Sequence, residues 1–199
     1  MSKSKTYTFR LTGQTPLLMK NIRTANPLDP IAKKLKALSS KRGKTDEDYE
    51  ELARWEFAGA IYLSPEKAPC IPGYVLTGCL KPAARKFKLG PKLNMYCHIP
   101  EPFLEVEYDG PKTWEELFAL RNGEGERPFV HQSVVTVDRK RVQRTRPGFP
   151  NWGLTVPISI VGDEISQTEL ISVFDMAGLI GLCDGRSIGY GRFVAELME

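Results

Sequence analysis

Histidine is scarce in this 199-residue chain, which carries only His98 and His131. Cysteine is little better represented: Cys70, Cys79, Cys97 and Cys183 stand far apart, with no C-x-x-C spacing. A zinc site draws on thiolates and imidazoles paired closely along a chain. The nearest approach to a pair, Cys97-His98, sets its ligands side by side, where they rarely share an ion. The residues therefore read as four free, mostly buried thiols, with no metal and no cofactor. Long apolar runs are also missing, and a helix needs about 20 apolar residues to span a bilayer. The opening MSKSKTYTF has lysines but no apolar stretch behind them, so it does not fit a secretory signal. The expectation is a soluble protein of the reducing cytoplasm. With 41% hydrophobic residues the chain can bury a core, and its length suits one domain, residues 1–199, with an inserted segment.

The formal net charge of +4 is modest, but the charges are segregated. Basic residues gather in Lys33-Lys34-x-Lys36 and Lys41-Arg42-x-Lys44, in the segment 81–92, and in Arg139-Lys140-Arg141-x-x-Arg144-x-Arg146. Acidic residues gather at 46–51, 101–109 and 115–126. Cations acting together are what a phosphate backbone requires. Any one cluster alone fits an ordinary solvated face better; three in one small domain turn the reading toward nucleic acid.

Tyr7, Phe9 and Leu11 alternate with Thr8, Arg10 and Thr12, the pattern of a half-buried first strand ending at Gly13. Residues 22–68 read as a helical insertion. Its first helix covers 31–38. Thr45-Asp46-Glu47-Asp48 then resembles a capping box, followed by the apolar stripe Tyr49, Leu52, Ala53, Phe57 and Ala60. Residues 74–88 form a helix with Leu76, Cys79, Leu80, Ala83 and Phe87 on one face and Lys81, Arg85 and Lys88 on another. Pro82 interrupts it: either the regular helix starts there or its first turn is irregular. Weak alternation follows at 103–108, a short helix at 114–120, and β-rich sequence at 129–137. Trp152, Leu154, Val156, Ile158 and Ile160 alternate as the clearest strand, where Pro157 calls for an edge or a bulge. Ser166-x-x-Glu169 opens a helix with Leu170, Val173, Phe174, Ala177 and Ile180 inward, and 193–197 is the last strand. The order β, insert, α, β, β, α, β predicts an α+β fold of ferredoxin-like, βαββαβ topology.

Between that last helix and strand lies Gly181-Leu-Cys-Asp184-Gly185-Arg186-Ser-Ile-Gly189-Tyr-Gly191-Arg192-Phe193. Its glycines permit close approach of a ligand to the backbone. Free N–H groups with Arg186 and Arg192 would suit phosphate oxygens, unless the arginines pair locally with carboxylates such as Asp184. The loop does not follow a strand and open a helix, so it is neither a Rossmann turn nor a P-loop.

Cys70-Ile-Pro72-Gly73-Tyr74-Val75-Leu76-Thr-Gly78-Cys79-Leu80 together with Gly185-x-x-x-Gly189-Tyr-Gly191-Arg192-Phe193 resembles the RAMP superfamily of CRISPR effector proteins, in particular the backbone-forming subunits. The first stretch is similar to their turn into the first helix, the second to their glycine-rich loop before the last strand. Tyr74-Val75 and Pro82 depart from that pattern. The stretch Arg144-x-Arg146-Pro147-x-Phe149-x-Asn151-Trp152 is similar to one in small bacteriophage proteins, which would place the chain in a bacterial host cell. The resemblance implies an RRM/RAMP-like fold, single-stranded nucleic acid (RNA favoured) held in a groove, and subunits stacking head to tail along it.

The candidate contacts are Lys81, Arg85, Lys88, Arg139, Lys140, Arg141, Arg144, Arg146, Phe149, Arg186, Gly189, Gly191 and Arg192. As a strand or hairpin arm, the third basic cluster would align Lys140, Val142, Arg144 and Arg146 on one face. Phe149 and Trp152 would offer stacking surfaces, although the parity of Trp152 with Leu154 and Val156 also fits a core residue. No catalytic residue is assigned. A RAMP-type endoribonuclease is the alternative, with Asp29 in the insert as the nearest candidate, a position that helix capping explains equally well. A phage interaction protein acting through its charged helical hairpin is the other.

Overall fold

The computed structural model describes residues 4–137 and 139–198, with Val137 and Lys140 described by their backbone alone. In chain order it contains β1 (Ser4–Gly13), β2 (Leu17–Leu18), a 3-10 turn (Ile22–Ala25), α1 (Pro30–Ser40), α2 (Asp46–Ala60), β3 (Cys70–Pro72), α3 (Gly73–Lys86), α4 (Gly90–Tyr96), β4 (Cys97–His98), β5 (Phe103–Glu105), α5 (Trp114–Ala119), β6 (Val130–Val137), β7 (Lys140–Phe149), β8 (Gly153–Val161), α6 (Gln167–Ile180), a second 3-10 turn (Arg186–Ile188) and β9 (Phe193–Met198). The fold is mixed α+β with antiparallel sheets, as the sequence pattern predicts. Two compact units divide it. One comprises the chain up to Leu17, Leu63–Asp109 and everything from Pro150; the other comprises Leu18–Tyr62 and Gly110–Phe149.

The first unit is built on a four-stranded sheet of order β4-β8-β1-β9. Alternation in β1 puts Phe9 and Leu11 on one face, opposite Val156 and Leu154 of β8 and Leu197 and Ala195 of β9. That face is dry: Phe9, Leu11, Leu154, Val156, Ile158 and Ile160 are all buried. Helix α6 closes over it. Its Ser166–Glu169 capping box satisfies the first turn, and Leu170, Val173, Phe174 and Ala177 point inward. The Phe174 ring stacks on Phe9 with centroids 3.9 Å apart. Pro157 is accommodated because β4 covers only Ile160 and Ser159, which leaves β8 a local edge at the residue that has no N–H to give.

Helix α3 packs on α6 through Leu76, Cys79, Leu80 and Ala83. It runs unbroken through Pro82, so neither sequence alternative holds. The carbonyl that loses its donor belongs to Gly78, which is exposed and open to water. The helix ends at Lys86, and Lys88 takes a left-handed φ of 61° outside it. Lys88 is thus not aligned with Lys81 and Arg85 on one helical face, contrary to the spacing argument.

In the second unit, α1 and α2 form a helical hairpin. Thr45 and Asp48 make the capping box over α2, and Asp29 caps α1. From the apolar stripe of α2, Ala53 and Phe57 are buried while Tyr49 is exposed. Helix α2 packs on β7. Strands β6 and β7 make an antiparallel hairpin, with β2 on the other edge of β7. Phe57 meets Phe118 of α5 edge-on at 5.5 Å, and Phe129 packs against Phe149 at 5.9 Å.

Candidate nucleic-acid interface

The β6–β7 hairpin gathers most of the third basic cluster. Alternation exposes Gln132, Val134, Thr136, Arg141 and Gln143, whereas His131, Ser133, Val135, Val142, Arg144 and Arg146 are half-buried. Arg139, at the turn with φ 64°, is exposed. The side chain of Lys140 lies outside the described residues. Across the ladder Arg144 faces Ser133 and Arg146 faces His131.

Along the half-buried side runs a groove of about 670 Å³, within the size range of ligand sites. Lys20, Arg144 and Arg146 line it, with Glu56 as its acid and Ile22, Leu35 and Ala60 among its apolar residues. Burial presses the Arg146 pKa below its usual value; Arg144 pushes the same way and Glu56 opposes. Two guanidinium groups and one carboxylate therefore act on each other here. The Glu56 side chain is only 10% exposed. Its Oε1 accepts Arg144 Nη1 at 2.6 Å and its Oε2 accepts the Thr145 N–H at 2.8 Å. Sequence reasoning passed over Lys20 and Glu56. The signal for Glu56 was an acid four residues after Leu52, inside the apolar stripe of α2.

Phe149 is a correction. Its ring is wholly buried, so it presents no face to a base. Trp152 is buried too, in the first unit, where its Nε1–H donates to the Thr15 carbonyl at 2.9 Å, so the core parity describes it.

The glycine-rich loop is also corrected in part. Its backbone N–H groups from 188 to 192 are all engaged: Ile188 and Tyr190 donate to the Gly185 carbonyl, Gly189 to Arg186, Gly191 to Pro16, and Arg192 to Thr15 Oγ1. They are not a vacant anion nest. Gly191 has φ 69°, and an added Cβ would collide with the Leu182 carbonyl oxygen; Gly189, with φ 94°, has open space beside it. Arg186 and Arg192 are exposed. On α3, Arg85 is exposed and Lys81 half-buried. These cations lie in the first unit and the hairpin in the second.

A second groove, of about 950 Å³, is acidic, with Asp46, Glu47, Glu50, Glu51, Glu115 and Glu116 among its lining. The helical hairpin pairs much of its own charge: Lys34 with Glu51 at 2.9 Å and Lys41 with Asp48 at 2.6 Å. Asp29 accepts Ile31 N–H at 2.8 Å and Arg23 Nε–H at 2.9 Å. Burial works against the charge of Asp29, but these partners outweigh it and hold its pKa below the usual carboxylate value. Burial pushes the thiols of Cys70 and Cys79 up to about 12 and that of Cys97 to about 11, so none is a thiolate at neutral pH. Among the described residues no group of three or more His, Cys, Asp or Glu side chains is arranged to hold a metal, and no helix is long and apolar enough to cross a membrane.

The fold has counterparts among solved structures. A chain of the Type III-B Cmr-beta complex bound to cognate target RNA aligns with 99% of this chain at a TM-score of 0.52 and 12% identity. The two share a fold. The alignment covers 61% of that chain, so the present protein spans about three fifths of its length. Cmr6 from Pyrococcus furiosus aligns over 98% of this chain and 100% of its own, with a TM-score of 0.42 and 12% identity. No family model and no curated protein matches the sequence.

Proposed function

We propose that this chain binds single-stranded nucleic acid, RNA in preference, as a CRISPR-subunit-like protein that assembles along the strand. The observation that carries the reading is the convergence of Lys20 and Arg146 on one groove, beside the Glu56-paired Arg144, with Arg139 and Arg141 exposed on the same hairpin. Several cations at one wall recognise a phosphate backbone without reading sequence. The fold shared with a chain of the Cmr-beta complex supports it, since that complex is bound to target RNA. We read the first unit as ferredoxin-like, because strand order β4-β8-β1-β9 with two crossover helices is what a βαββαβ chain produces. We take the whole chain as one such domain carrying an insertion. Binding rather than cleavage is favoured, because the carboxylate of Asp29 is already committed to capping α1 and to Arg23.

The test is binding of a fluorescent single-stranded RNA over a salt series, followed by light scattering with oligonucleotides of increasing length. A steep salt dependence, with particle mass growing with strand length, supports the proposal. Weak single sites become a tight array when neighbours raise each other's effective concentration. Absence of binding at low salt sinks the reading and leaves the interaction protein. A constant one protein per strand removes the assembly alone.

A further inference from the structure

We propose that Glu56 occupies the seat of a backbone phosphate in the free protein, and so sets how tightly the groove binds. The inference rests on the nucleic-acid reading above. Glu56 gathers two donors from β7, the Arg144 guanidinium and the Thr145 N–H, on its two carboxylate oxygens. A guanidinium beside a backbone N–H is the donor set that phosphate oxygens use. Lys20 and Arg146 line the same groove, so the carboxylate sits among cations that would also attract a phosphate. The Thr145 N–H also needs a partner, because Thr145 is only 3% exposed. A side chain from α2 supplies one, and in doing so neutralises Arg144.

Two consequences separate this role from mere structural support. Arg144 is already paired in the free protein, so it adds little to counterion release on binding. Removing the charge of Glu56 while keeping its shape releases Arg144 for the ligand. Glu56→Gln retains an oxygen for the Thr145 N–H and should tighten binding severalfold at low salt. The log–log salt slope should steepen by about 0.7, the value of one phosphate contact on a single strand. Arg144→Gln should leave the slope near wild type in the native background, and should reduce it by about 0.7 in the Glu56→Gln background.

The experiment is a four-variant cycle (wild type, Glu56→Gln, Arg144→Gln and the double variant) titrated with one fluorescent oligouridylate across salt. Coupling of the stated sign supports the proposal. Weaker binding by Glu56→Gln with an unchanged slope makes Glu56 a positioning residue and overturns it. Should Glu56→Gln fail to fold, Arg144→Gln alone decides: a full 0.7 loss of slope in the native background overturns the inference, and an unchanged slope supports it. A wild-type protein with no salt-dependent binding fails the functional reading itself, and the inference falls with it.

Discussion

Thr15 grips Gly189 and Arg192 with a single hydroxyl: Oγ1 donates to the Gly189 carbonyl at 2.8 Å and accepts the Arg192 N–H at 2.9 Å. The glycine-rich loop is thus fastened to the end of the first strand. Thr15→Val keeps the shape and removes both bonds, which should cost about 1–3 kcal/mol, while Thr15→Ser should restore most of it. Urea denaturation of the three proteins measures this. Equal midpoints for valine and threonine would show that the loop is held by something else.

The two glycines of that loop should separate on substitution. Gly189→Ala meets only the conformational cost of a left-handed φ, about 1–2 kcal/mol, because nothing stands beside it. Gly191→Ala adds a collision with the Leu182 carbonyl, which backbone cannot readily relieve, and should lose about 4 kcal/mol or fail to fold. Comparable stability of the two variants would contradict this geometry.

Arg139 and Arg141 are exposed, so replacing both by Gln should leave stability within about 0.5 kcal/mol of wild type. Binding to single-stranded RNA should weaken, with the salt slope reduced by about 1.4, two contacts at 0.7 each. An unaltered slope would remove the hairpin tip from the interface.

His131 gives the stability a pH signature. Burial, and then the charge of Arg146, hold its pKa below the usual 6.5. The folded protein therefore binds this proton less readily than the unfolded chain. The contribution of the neutral ring is fully present above about 6.5 and is lost as pH falls through that value toward the folded pKa. Unfolding free energies between pH 7.5 and 5.5 should decline, and His131→Gln should flatten that part of the profile. A variant with the wild-type slope would exclude His131 as the source.

Asp29→Ala should cost about 1 kcal/mol by uncapping α1, with RNA affinity unchanged. The companion assay is incubation with labelled RNA, with and without divalent cations, and the expected result is intact RNA for both proteins. Cleavage by the wild type that disappears in Asp29→Ala would restore the endoribonuclease reading.

Much of this fold was legible because local chemistry spells it out. The capping boxes at Thr45 and Ser166 mark α2 and α6, and alternation marks β1 and β8. Elements without such signals escaped. Helix α4 (Gly90–Tyr96) has no side-chain cap, and β4 is only two residues long. The continuation of α3 past Pro82 depends on packing against α6, which overrides propensity. The basic hairpin was legible as a strand or hairpin arm. Its association with residues 18–62 was not, because that packing is long-range. Phe149 carries no mark that distinguishes a buried ring from an offered one. Glu56 left a weak mark, an acid in an apolar stripe, whose meaning depends on which strand that stripe meets.

The register of β1 has a consequence for how the protein is made. Its two partners are β8 and β9, both drawn from the last fifty residues of the chain. During synthesis β1 therefore waits with both edges bare until β8 emerges, about 140 residues after Gly13, and β9 after it. Such distant pairing is slow to form, and a lone strand carrying Phe9 and Leu11 invites pairing with other chains in the meantime. Yield in cells should thus depend on chaperone supply and growth temperature more than the stability of the finished protein would suggest.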